Sequence, residues 1–340
     1  MDSLLIDTLK GKVGKHPPVW FMRQAGRLLP GYRKLREKYT FQQLMSDPEL
    51  AAMVTLMPVN DLGVDAAILF SDILVVPVAM GMELQWTDAG PRFLQPLAEV
   101  KNAASTLRPD EEKLNYIYAV IDRILQQRDR STPLIGFCGG PFTTLCYMLQ
   151  GVSPNGSFSK SVSYLYTHQQ ESQKLIDVIT DFSILYAKRQ IEHGIDAFQL
   201  FESNAGVLPW SLYCQLCLPS VRRIAAAVRD KGIPFLYFPK GIGTGLVDMT
   251  PDVCDFVSVD WQTPIEVARN LVHHSVGLQG NLDPRALLAP SDILVKELNH
   301  YKEFRHEYPN FVFNLGHGIL PDTPLENVKK MVDWVKNTPW

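Results

Sequence analysis

Eight short runs rich in Val, Ile, Phe and Leu recur along the chain, at residues 19–22, 66–70, 133–137, 197–201, 234–238, 256–259, 276–279 and 311–315. Longer amphipathic stretches separate them. Continuous apolar runs of this length suit strands covered on both faces, and their alternation with helical stretches is the pattern of a parallel sheet with helical crossovers. Eight such strands close into a (β/α)8 TIM barrel. Helical patterning is clearest at 110–128, 159–192, 210–228 and 325–336. Two helix starts are signalled by Thr263-Pro264-Ile265-Glu266 and Thr323-Pro324-Leu325-Glu326, which predict capping boxes with Pro at the first helical position. No composition break, charge run or repeat beyond the βα alternation divides residues 1–340, so one barrel domain is expected. Turn formers at 151–157 predict a flexible loop.

A barrel of this kind gathers its chemistry at the C-terminal ends of its strands. The residues closing the eight runs are Arg23, Asp72, Gly139-Gly140, Ser203, Lys240, Asp260, Asn281 with Asp283, and His317. Arg23 and Arg27 are separated only by Gln24, Ala25 and Gly26. Two guanidiniums so placed read as a clamp for carboxylate or phosphate, because each planar fork grips an oxyanion with paired bonds at any working pH. The alternative is that both end in structural salt bridges. Gly139-Gly140-Pro141 permits a tight strand-to-helix turn, and the helix beyond it carries Tyr147. Taken singly, Asp260, Asn281 and Asp283 could equally brace loops, and His317 could be structural.

Lys and Arg number 33 against 36 Asp and Glu, a net charge of −3, which gives no reason to expect nucleic acid or an anionic membrane as partner. Acidic residues near the N-terminus are unlike a targeting segment, and the uncharged run 73–80 is too short to span a bilayer, so a cytoplasmic protein is expected. Five cysteines, Cys138, Cys146, Cys214, Cys217 and Cys254, fit reduced core thiols. Cys214 and Cys217 have redox or zinc spacing, but no second pair stands at ligand spacing. His273 and His274 are expected in a helix, facing apart. With no glycine-rich dinucleotide fingerprint either, neither metal nor organic cofactor is expected.

Five segments carry a resemblance to a known family. Phe21-Met22-Arg23-Gln24-Ala25-Gly26-Arg27, Ile68-Leu69-Phe70-Ser71-Asp72-Ile73-Leu74, Phe201-Glu202-Ser203-Asn204-Ala205-Gly206, Gly280-Asn281-Leu282-Asp283-Pro284 and Asn314-Leu315-Gly316-His317-Gly318-Ile319 are similar to the signature segments of the uroporphyrinogen decarboxylases, in the same order. The resemblance implies a (β/α)8 barrel, usually a homodimer, that removes CO2 from the four acetates of uroporphyrinogen III to give coproporphyrinogen III without cofactor or metal. It further implies substrate binding by Arg23, Gln24, Ala25, Gly26, Arg27, Asp72, Tyr147, Ser203 and His317, with Asp72 and Arg23 catalytic. Leu28 and Asn204 depart from the family pattern and are expected at the cleft rim.

The chemistry agrees with the residues. A substrate with eight carboxylates needs cations at its edge, while its inward pyrrole N–H groups suit a central carboxylate, Asp72, that also stabilises a cationic intermediate. The proton donor stays open between a raised Asp72 and some other group, since a guanidinium is a poor acid. Two further readings remain: a zinc methyltransferase of the same barrel superfamily, and a non-enzymatic tetrapyrrole carrier.

Overall fold

A computed structural model of the chain describes residues 3–87, 90–153 and 155–340. Met1 and Asp2 of the N-terminal segment, and Pro154 of the loop 151–157, lie outside the described residues. The strands are β1 (Ala67–Ile68), β2 (Leu84–Thr87), β3 (Gly90–Phe93), β4 (Leu134–Gly139), β5 (Ala197–Glu202), β6 (Phe235–Pro239), β7 (Phe256–Ser258), β8 (Gly277–Leu282) and β9 (Phe311–Leu315). Seven of them pair in parallel in the order β1-β4-β5-β6-β7-β8-β9. All their described interior positions are apolar or hydrogen-bonded, as expected of a sheet covered on both faces.

The eighth expected strand is reduced to a single bridge, Val19 to Phe313. It nevertheless closes the ring. On one side Phe313 N–H donates to Pro18 O at 2.9 Å, and on the other Asp65 N–H donates to Val19 O at 2.8 Å. Gln24 completes the seam. Its side chain, fully buried, accepts from Phe21 N–H at 3.0 Å and donates to Ala66 O at 2.9 Å, occupying backbone groups that a longer strand would have paired. Inside the barrel, Gln279 of β8 reaches across to Gln199 of β5 at 3.1 Å and to Ser258 of β7 at 2.7 Å, and accepts from Trp20 Nε1 at 2.9 Å. A satisfied polar cluster at the axis fixes which strands oppose one another.

The helix Pro48–Leu62 shows how sequence places a strand end. Asp47 accepts from Glu49 and Leu50 N–H, Pro48 opens the first turn, and Gly63, at φ 72°, ends the helix in the left-handed region. Within it Thr55 donates to Ala51 O and accepts Phe70 N–H at 3.0 Å. That bond anchors the chain two residues before Asp72 and cuts β1 short.

Several expected elements differ. The stretch 159–192 breaks at His168 into Ser159–Thr167 and Gln169–Glu192, and 210–228 breaks at Cys217, just before Pro219. Neither capping box forms: Pro264 and Pro324 take the N-cap position in extended conformation, without side-chain caps. Thr263 instead gives its carbonyl to Asn281 Nδ2 at 2.7 Å. The antiparallel pair β2–β3 has no counterpart in the sequence reading. Leu28 is buried in the core rather than at a rim. His273 and His274 lie outside any helix and pack ring against ring, with centroids 4.3 Å apart.

Candidate active site at the barrel mouth

The segment after the Val19 bridge turns sharply. Gln24 N–H closes on Phe21 O, and Arg23 adopts φ 60°, a left-handed conformation that costs an L-residue about 1 kcal/mol or more. The turn throws Arg23 outward while Gln24 points in. Arg23 and Arg27 are both exposed, and among the described residues neither makes an ion pair. The salt-bridge alternative therefore does not describe them. The N–H groups of Ala25 and Gly26 also lack internal partners among the described residues, which leaves them available to a ligand.

Asp72 lies half-buried beyond β1, with Oδ1 accepting Leu74 N–H at 2.7 Å. Burial raises its carboxyl above the ordinary range, and the Leu74 bond and the Arg23 charge offset this only in part. Tyr147, on the helix Pro141–Gln150, is half-buried against Phe158, ring centroids 5.4 Å apart. Burial and then Asp72 push its phenol up, so it remains an O–H donor. Tyr116 feels the same carboxylate. Burial first and Asp72 second push it up to about 12. Sequence reasoning missed it, although a residue opening the helix Asn115–Gln127 lies on the same rim as the strand ends.

His317 follows β9 and is half-buried, with Nδ1 accepting Gly318 N–H at 2.7 Å. Burial, then Arg23, then Lys240 bring its imidazole down to about 4, so it is neutral near pH 7. Ile319 N–H donates to Met22 O at 3.0 Å, tying the His317 loop to the Arg23 turn. A side chain at Gly318 would strike Arg23: a Cβ there would stand 2.5 Å from Arg23 Cδ. Phe238 and Trp261 pack against His317 in T-shaped pairs, with ring centroids 6.0 and 6.2 Å away.

Ser203 sits half-buried at the end of β5. Its neighbour Glu202, fully buried, is a second residue that sequence reasoning passed over. Its carboxyl accepts Thr143 N–H at 2.5 Å, Phe142 N–H at 3.2 Å and Tyr213 O–H at 3.1 Å, locking the β5 end to the helix that carries Tyr147. Burial raises it to about 7 against those stabilising bonds. The structure thus brings Asp72, Tyr147 and His317 each within electrostatic reach of Arg23, and Asp72 within reach of Tyr147.

Other predicted candidates serve the scaffold. Asp260 accepts from Gly241 and Gln262 N–H, Asn281 bonds Asp260 O, Thr263 O and Tyr301 O–H, and Asp283 holds Arg285. The side chain and N–H of Gln24 are likewise both engaged within the protein. All five cysteines are free thiols, four of them buried, and Cys214 Sγ faces Asp248. Among the described residues no three His, Cys, Asp or Glu side chains converge as a metal-holding group.

The family model described as uroporphyrinogen decarboxylase (URO-D) matches residues 1–338. The uroporphyrinogen decarboxylase of Syntrophotalea carbinolica is 41% identical over 337 residues, covering 98% of this chain and 97% of that protein. That of Thermus thermophilus is 38% identical over 341 residues, covering 99% and 98%. Among solved structures, a methyltransferase from Methanosarcina mazei is similar with TM-score 0.75 at 20% identity, over 98% of this chain and 97% of that one. A B12-independent methionine synthase from a Shewanella species gives TM-score 0.57 at 12% identity, over 88% and 90%. At such identities these two likenesses speak to the barrel fold alone.

Proposed function

The chain belongs to the uroporphyrinogen decarboxylase family, and from that premise we propose how its barrel mouth performs the reaction. It is a carboxy-lyase of tetrapyrrole biosynthesis, and its substrate is a small molecule. The reaction takes CO2 from the four acetates of uroporphyrinogen III to give coproporphyrinogen III. Residues 1–340 work as one catalytic domain.

The observation that carries the assignment of roles is the pairing of opposite electrostatics: the exposed guanidinium of Arg23, without an ion-pair partner, within electrostatic reach of the Asp72 carboxyl that burial has raised. Arg23 and Arg27 hold peripheral carboxylates of the substrate, with the free N–H groups of Ala25 and Gly26, the hydroxyls of Ser203 and Tyr147, and Nε2–H of His317 as further donors. Asp72 accepts pyrrole N–H bonds. Protonation of the pyrrole carbon beside an acetate makes the ring a cationic electron sink, into which the electrons of the breaking C–C bond flow as CO2 leaves. A proton then adds to the exocyclic methylene carbon, and the ring carbon gives up the proton it had gained, which restores the neutral pyrrole with a methyl group in place of the acetate. Asp72, facing the developing cation, acts more strongly on the transition state than on the ground state. The protein works without added cofactor, as a homodimer. No helix of the described residues is long and apolar enough to cross a membrane, which accords with a cytoplasmic enzyme.

The deciding experiment is anaerobic incubation with reduced uroporphyrinogen III, followed by oxidation and chromatography. Stepwise appearance of products with fewer carboxyl groups, ending in four, is expected. Binding without any loss of carboxyl would identify a carrier instead. Chelator dialysis that abolishes activity, with recovery on one specific metal, would overturn the cofactor-free reading.

A further inference from the structure

Counting round the closed barrel, the Val19 segment holds the first place, β1 the second, β4 the third, β5 the fourth and β6 the fifth. Lys240, directly after β6, therefore stands half a turn of the eight-membered ring from Arg23. Its ammonium lies 5.8 Å from the ring centroid of Trp261, and its charge reaches His317. Among the described residues it has no hydrogen bond and no carboxylate partner from its side chain. Two acids at the neighbouring strand ends are already engaged: Asp260 by two backbone N–H groups, and Asp283 by Arg285, the other cation that approaches Trp261. A half-buried ammonium seated on an indole is partly stripped of water yet keeps donors free, and it lacks an anion.

We propose that Lys240, seated on Trp261, binds a peripheral carboxylate of the substrate on the side of the macrocycle opposite to that held by Arg23 and Arg27. The inference rests on the decarboxylase reading, which supplies a disc with carboxylates around its whole edge. A clamp on one side would leave the far carboxylates over a wall whose other cation is neutralised. A point charge with rotatable donors accepts a carboxylate from several directions, which a guanidinium fork does not.

The test compares Lys240→Met, which keeps the apolar stem over Trp261, and Lys240→Arg with the parent protein. The Met variant is expected to raise KM for uroporphyrinogen by about tenfold or more, the scale of one charge-assisted hydrogen bond, with kcat much less affected. Its KM should also rise less steeply with added salt, because one screened ion pair is gone. The Arg variant should recover most of the loss. A KM within about twofold of the parent, or a raised KM with unchanged salt dependence, would overturn the proposal, the second by revealing a packing role. Should the Met variant not fold, Lys240→Gln carries the same expectations. Binding of oxidised octacarboxylic porphyrin, followed by quenching of tryptophan fluorescence, gives a readout independent of turnover. If the parent protein binds this porphyrin but does not decarboxylate uroporphyrinogen, the functional reading fails, and Lys240 is still judged by whether its Met variant binds more weakly.

Discussion

The backbone N–H of Gly318 lies 2.7 Å from Nδ1 of His317, so that nitrogen is an acceptor and the ring proton resides on Nε2. Burial first, and then the two cations Arg23 and Lys240, keep the ring neutral down to about pH 4. A neutral donor at the mouth can hold a carboxylate oxygen without adding charge. His317→Gln, which offers an amide donor, should therefore retain more activity than His317→Ala, and equal loss in both would refute the donor role. The same group predicts a stability slope. Its folded value lies below the ordinary 6.5, so its contribution is present above about pH 6.5 and is lost as pH falls toward about 4. The full shift corresponds to about 3 kcal/mol, less a discount for partial exposure. Denaturant unfolding of His317→Gln should show a shallower loss across that window.

Glu202 should slope the other way. Its folded value, about 7, lies above the ordinary 4.5, so the native state holds a proton that the unfolded chain has released between those values. Stability from this group is full below about pH 4.5 and declines as pH rises through about 7. Glu202→Gln keeps an oxygen to accept Thr143 N–H and removes the titration. Relative to this variant, the parent protein should lose on the order of 3 kcal/mol between about pH 5 and pH 8. A difference that stays constant with pH would show that Glu202 is ionised throughout.

Gly318 tests whether Arg23 works from a fixed position. The methyl of Gly318→Ala would fall 2.5 Å from Arg23 Cδ and 2.7 Å from Cγ, so the stem must swing aside. Arg23 is exposed and can do so without disturbing the core, hence a melting temperature close to the parent's. A carboxylate clamp displaced in this way should lose about tenfold or more in kcat/KM. Parent-like kinetics would mean that the arginine has no preferred seat.

How far these groups could be read in advance depended on whether their placement is local. Each strand run is apolar over a few consecutive residues, and a barrel brings all strand ends to one rim, so Arg23, Asp72, Ser203 and His317 followed from order along the chain alone. Gln24 did not. Its amide replaces pairing that the Val19 segment lost, which depends on Ala66, forty-two residues away. The Thr-Pro starts misled for a similar reason, since the carbonyl of Thr263 answers to Asn281 on another strand. Lys240 followed from the same order, but its seat on Trp261 did not, and Tyr116 owes its position to a helix start meeting the strand ends above the barrel, where local patterning is weakest.

Asp72 is the residue on which the proposed chemistry turns. Asp72→Asn keeps the side chain's shape and an oxygen for Leu74 N–H, but removes the charge that would face a cationic pyrrole. Because that charge acts mainly in the transition state, kcat should fall about a hundredfold, near 3 kcal/mol, while KM changes little. The variant carries an internal control. The Asp72 charge helps to push the Tyr116 phenol up to about 12, so its removal should lower that value, visible in an ultraviolet titration of the free protein. A shifted Tyr116 together with near-normal turnover would show that Asp72 had been correctly replaced and yet was not required. In that event the stabilising role would have to move to another group at the mouth, and the electrostatic account of the decarboxylation given above would be wrong.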